Sequence, residues 1–142
     1  MNSVRHNPLA ILVATLLYFL LGAFWFTFFQ TAWLAGIGRT MEELMATGNS
    51  PFLAYAIALI GTFILALFIS WLIQTTGPQT LIRGVFLAML TWVCVVFTTW
   101  STEYAFESRG LRILAINTGY SLTGMVIMGA ILGAWKRKPS AH

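Results

Sequence analysis

Three groups of side chains in this sequence have types and spacings that could do chemistry. The first is Thr99, Glu103 and Glu107, which recur every four residues and share one face of any helix that runs through them. Two carboxylates one turn apart can share a proton or hold a cation. The same acids can instead pair with Arg109 and Arg112 among lipid headgroups and fix a hairpin. The second group is Asn117, Ser121 and Gly124, again on one helical face, with Tyr120 beside them. An asparagine in an apolar helix turns inward, to hydrogen-bond another helix or to contact a ligand. The third is the aromatic run Phe24, Trp25, Phe26, Phe28 and Phe29, followed by Trp33. Such rings anchor a helix at the membrane interface, or wall a site for a lipid or quinone-like molecule. Gly22, just before the run, lets another helix approach closely.

Other chemistries find no residues to carry them. There is no nucleophile triad, phosphate-binding glycine loop, cysteine pair or zinc motif. His6 and His142 lie at the two ends, far in sequence from the acids, and Cys94 is a lone thiol inside an apolar run. The expectation is a protein that is not an enzyme and has no metal or cofactor. No basic stripe with interleaved aromatics is present, so a nucleic-acid partner is not expected.

The elements that must position these groups are membrane spans. The 142 residues are 58% hydrophobic and only 8% charged, with a mean hydropathy of +0.81. Soluble chains carry about 25% charged residues, so here the solvent for the apolar surface is lipid. Four uncharged runs are each long enough to cross a bilayer, which takes about 20 residues. They predict an all-α transmembrane four-helix bundle forming a single domain, with helices near 8–30, 51–74, 79–105 and 111–135. Asn7 and Pro8 suit the start of the first helix, Ser50 and Pro51 that of the second. The first run is too long for the apolar core of a signal peptide, so it reads as a retained anchor. Alternating polarity is absent, which excludes strands in lipid.

The connections add detail. Thr75-Thr76-Gly77-Pro78 is a short breaker, so the second and third helices are antiparallel neighbours. Thr40 and Glu43 have capping-box spacing, predicting a short interfacial helix near 40–47 with Met41, Leu44 and Met45 on its apolar side. After the third helix, Gly110 suits the residue that ends it, with Arg109 in the last turn. Asn117 falls roughly 9 Å into the fourth helix, within reach of Glu107 or Arg109 across the hairpin. The side holding both tails and the middle loop has Arg5, Arg83, Lys136, Arg137 and Lys138, five basic residues against three (Arg39, Arg109, Arg112) opposite. That imbalance predicts a multi-pass inner-membrane protein with both termini cytoplasmic.

Small residues recur at helix-packing spacing. Gly129 and Gly133 form a Gly-x-x-x-Gly pair, and Ala54/Ala58 and Gly84/Ala88 repeat it. Such pairs serve packing inside one bundle or self-association through the fourth helix.

Several segments then occur in a recognisable order. Gly22-Ala23-Phe24-Trp25-Phe26 is followed by Ala32-Trp33, then Phe106-Glu107-Ser108-Arg109, Ile116-Asn117-Thr118-Gly119-Tyr120, and Gly129 to Trp135. This ordered set resembles a bacterial four-helix membrane family known only as domain of unknown function seventeen sixty-one, over nearly the whole chain. The resemblance implies a small bacterial membrane protein with four spans and implies no activity. It implies site or packing roles for Trp25, Trp33, Glu107, Arg109, Asn117 and Tyr120. It departs at Phe26, where that family usually has a tyrosine, so a phenolic hydroxyl is missing here.

Three functional expectations follow. The first is non-catalytic lateral binding in the membrane, to a second copy or to a partner subunit. The second is an oligomeric channel or transporter for a small ion or metabolite, using Glu103, Glu107 and Asn117. The third is a lipid or quinone binder at the aromatic end of the first helix.

Overall fold

A computed structural model describes residues 4–48 and 50–137. Lys138 and His142, named above, lie outside the described residues. Among the described residues there is no strand, and four helical spans are long and apolar enough to cross a membrane.

Helix α1 (Pro8–Phe28) starts where Asn7 accepts from the backbone N–H groups of Leu9 and Ala10, at 3.2 and 3.3 Å. It stops two residues short of the expected Gln30, because Phe29 leaves helical geometry at φ −94°, ψ 11°. The chain resumes at once as α2 (Gln30–Ile37), a helix with no counterpart in the sequence reading. The bend seats α2 on the fourth span, where Gly36 faces Ile113. Gly38, at φ 67°, ends α2, and the N–H groups of Gly38 and Arg39 return to the carbonyls of Ala35 and Leu34. Helix α3 (Met41–Ala46) carries the capping box, with Thr40 and Glu43 exchanging side-chain and backbone bonds.

Helix α4 (Pro51–Thr75) opens on Pro51, but the Ser50 side chain makes no cap bond there. The proline fixes the first turn without help from the serine. The third span begins at Leu81, since Thr80 accepts from Arg83 N–H and so caps it. It comprises α5 (Leu81–Thr91), a π-helical segment (Trp92–Phe97) and α6 (Thr98–Phe106). The fourth span is α7 (Leu111–Ala134).

Ser108, not Gly110, is the residue that terminates α6. It sits at φ 54°, and Ser108 and Arg109 N–H bond the carbonyls of Ala105 and Tyr104. Gly110 is already the extended residue that starts α7.

Helix α7 is the hub. In its most apolar stretch 39% of residues are buried, against 11% for α4. Against α5 its backbone comes into direct contact: a β-carbon on Gly84 would collide with the carbonyl of Gly129, and one on Gly133 with the carbonyl of Thr80. The Gly-x-x-x-Gly pair therefore serves packing within the chain, against Gly84 and Ala88.

The buried residues of α4 all lie in its second half. Ala66, Ile69, Ser70 and Ile73 are buried in a core with Ala10, Ile11 and Ala14 of α1 and Met125 and Met128 of α7. From Pro51 to Leu65 no residue of α4 is buried. Both tails lie at one end of the bundle, where Asn7 Nδ2 donates to the Trp135 carbonyl.

Candidate functional site

Between α1 and α7 three aromatic side chains rest on three glycines. Tyr18 and Trp25, two turns apart on α1, cover Gly124 and Gly119 of α7, and Tyr120 of α7 covers Gly22 of α1. Each ring needs the missing β-carbon to lie flat against the opposite helix, so the sequence pairs large with small in both directions. Each polar tip then finds a backbone carbonyl. Trp25 Nε1 donates to Ile116 at 3.0 Å, Tyr18 to Ser121 at 3.4 Å and Tyr120 to Tyr18 at 3.3 Å. In lipid, where no water competes, such donors are left unpaired if the rings move.

The third span adds to this band. Trp92 Nε1 donates to the Thr118 carbonyl and to Ser121 Oγ, at 3.0 and 2.9 Å. Trp92 opens the π-helical segment, which has a structural consequence further along. Four regular turns beyond the buried Ala88 would bring roughly Thr102 or Glu103 to the bundle side. The π segment holds more residues per turn, so Tyr104 is buried instead and Glu103 faces outward.

Tyr104 in turn links the residues singled out in the hairpin. Asn117 Nδ2 donates to its hydroxyl at 2.7 Å, and the Arg109 guanidinium lies over its ring, 5.0 Å from the centroid. Asn117 thus meets Tyr104, not Glu107 or Arg109 as its depth suggested. Glu107 pairs with Arg109 at the exposed end of the span. A pocket of about 200 Å³ lined by Trp100, Glu103, Tyr104, Glu107 and Arg109 opens there. Asn117 makes no bond to a carboxylate among the described residues, while Thr99, Glu103 and Glu107 follow one another along α6 up to its cap, where Glu107 N–H bonds the Glu103 carbonyl at 2.9 Å. Trp33 stands apart, edge-on to Phe26 at 5.8 Å.

A half-open cleft of about 530 Å³ lies between α1, α4 and α7, lined by Phe19, Gly22, Ala23, Phe26, Tyr55, Ala58 and Tyr120. It lies beside the first half of α4, none of whose residues is buried. In its lining Phe19 and Tyr55 pack edge-to-face, ring centroids 6.3 Å apart, and Phe26 packs edge-on to Tyr120 at 5.1 Å. From Phe19 to Phe26 it runs roughly 10 Å along α1. Its lining is apolar apart from the tyrosine hydroxyls, and its size is that of a small-molecule site, about 300–1,000 Å³.

Of the residues singled out by sequence, Gly22 and Tyr120 line the cleft, while Trp25 packs on Gly119 of α7 and donates to the Ile116 carbonyl. Glu103, Glu107, Arg109 and Asn117 gather around Tyr104 at the end of the hairpin, and Gly129 and Gly133 face α5. Tyr18, Phe19, Tyr55, Trp92 and Tyr104 escaped sequence reasoning. Tyr18 carries a signal in hindsight: it is a polar-tipped ring seven residues before Trp25, on the same helical face. No group of three or more metal-binding side chains occurs among the described residues.

The fold and its buried polar band define a multi-pass helical membrane protein. The chain belongs to the family described as "Protein of unknown function (DUF1761)", whose model matches residues 9–133. No curated protein and no solved structure matches it.

Proposed function

We propose that this protein acts without catalysis, by binding one membrane-borne amphipathic molecule of the lipid or quinone class in the cleft between α1 and α4. The observation that carries this reading is the cleft itself: about 530 Å³, walled by aromatic rings, with the Tyr120 hydroxyl on one side and Tyr55 on the other. An acyl or prenyl chain fits apolar walls formed by Phe19, Ala23, Phe26 and Ala58. A hydrogen-bonding headgroup would sit near Tyr55, one turn from the start of α4. Photolabelling with a diazirine-bearing phospholipid and a diazirine-bearing quinone tests this. One of the two should label peptides containing Phe26 or Tyr55 at a stoichiometry near one. Labelling scattered over all lipid-facing helices, with no saturation, would reject it.

A second reading keeps the same cleft and changes the occupant to a helix of a second copy or partner subunit. It is favoured by the first half of α4, where Tyr55 in the cleft lining is 64% exposed and no residue from Pro51 to Leu65 is buried. The Gly-x-x-x-Gly pair offers such a partner nothing, because α5 covers it. A channel reading draws no support from Glu103 and Glu107, which lie exposed at the end of the span.

A further inference from the structure

The end of the bundle that carries both tails holds Arg5, Arg83, Lys136 and Arg137, and no carboxylate among the described residues. All four acids of the chain (Glu42, Glu43, Glu103, Glu107) belong to the opposite end. The basic residues come from three separate segments, and specific bonds hold those segments together. Arg5 N–H donates to Gln74 Oε1 at 2.8 Å, His6 Nδ1 lies 2.9 Å from Ser70 Oγ, and Gln79 Nε2 donates to the Leu132 carbonyl at 2.7 Å. Arg137 reaches the carbonyl of His6 at 3.5 Å.

Arg83 is the centre of this group. Its guanidinium lies flat against the α4–α5 turn, where a β-carbon on Gly77 would fall 2.7 Å from Nη1. Nη2 donates to Thr76 Oγ1 at 2.9 Å, and Nε is buried with no partner. A guanidinium has five N–H donors, and one is used by a side chain here. A partly buried cation without a counter-charge is costly. At the edge of a bilayer the anion at hand is the lipid phosphate. Leu81 and Ile82, beside Arg83 in sequence, are 51% and 78% exposed and offer an apolar bed for acyl chains. That favours a lipid over free phosphate.

We infer that the tail end is a binding site for the headgroup of an anionic phospholipid, with Arg83 as the principal contact and Lys136 and Arg137 as outer contacts. This site is independent of the cleft, which lies towards the other end.

Native mass spectrometry of the full chain, released from nanodiscs of equal phosphatidylglycerol and phosphatidylcholine, tests the inference. Wild type should retain phosphatidylglycerol several-fold over phosphatidylcholine. Arg83→Gln should lower that preference about fivefold, Arg83→Lys should keep most of it, and Arg39→Gln at the opposite end should leave it unchanged. If Arg83→Gln fails to fold by circular dichroism, the Lys136→Gln/Arg137→Gln variant carries the same test, with a loss of about fivefold per charge. Equal retention of the two lipids by wild type would overturn the inference. So would a folded Arg83→Gln, or the double variant, with wild-type preference. Displacement of the lipid by millimolar inorganic phosphate would reassign the site to free phosphate and overturn it equally.

Discussion

The hydroxyl of Tyr120 lies 3.1 Å from where a β-carbon on Gly22 would stand, so α7 presses a phenol ring against the bare backbone of α1. The same ring forms one wall of the cleft. One contact therefore joins the packing of the bundle to the shape of its candidate site.

Gly22→Ala should be tolerated better than Gly129→Ala. The first places a methyl group against a phenol that can shift by a few tenths of an ångström. The second drives a β-carbon into the Gly84 carbonyl and Ala88, where backbone must move. Overpacking of this kind costs about 1–3 kcal/mol. Thermal unfolding in mild detergent should show a clear loss for Gly129→Ala and a small one for Gly22→Ala; the reverse order would contradict the α5–α7 contact.

Trp92→Phe removes one N–H that serves both the Thr118 carbonyl and Ser121 Oγ. The loss should be about 0.5–1.5 kcal/mol for a hydrogen bond, with helix content unchanged. Equal stability of wild type and Trp92→Phe would show that the indole holds nothing.

Ser108→Gly should stabilise the hairpin. Ser108 occupies the left-handed region at φ 54°, which costs a non-glycine residue roughly 1 kcal/mol, offset in part by glycine's freedom when unfolded. Ser108→Val should destabilise. Matched melting curves check both signs.

Glu107→Gln should change little. The carboxylate and its partner Arg109 are both substantially exposed, and such pairs contribute about 0–1 kcal/mol. Proteoliposome ion flux and melting temperature should both match wild type; a change in flux would revive the channel reading.

The parts of this fold that were legible in the sequence rest on local chemistry. Asn7-Pro8, the Thr40/Glu43 box and Pro51 act within one turn, so the starts of α1, α3 and α4 could be read directly. Helix α2 could not, because it has no side-chain cap and is held by Gly36 against the distant Ile113. Gly110 looks like the end of α6 because glycine usually takes the left-handed position, but here the helix ends two residues earlier and Ser108 takes it. The π segment has no sequence signature, and it decides whether residue 103 or 104 faces the bundle. That is why the acids drew attention in the sequence while Tyr104, the residue that organises the hairpin, did not. The cleft depends on the first half of α4 staying unburied, which no single residue announces.

Tyr55→Phe should weaken retention of a ligand with a hydrogen-bonding headgroup. It removes the hydroxyl beside the headgroup and keeps a ring that lines the cleft. Competitive lipid retention by the two forms, measured side by side, would show it; equal retention by Tyr55→Phe would place the headgroup elsewhere.

The most direct measurement is native mass spectrometry of gently extracted protein, wild type beside Ala58→Trp, which fills the cleft from the α4 side. Besides any anionic phospholipid held at the tail end, wild type should carry about one retained molecule per chain, of a class enriched over the bulk membrane extract, and Ala58→Trp should lose that molecule while keeping its fold and the tail-end lipid. A wild type with only bulk lipids, or an Ala58→Trp that retains the same molecule equally, would contradict binding in the cleft.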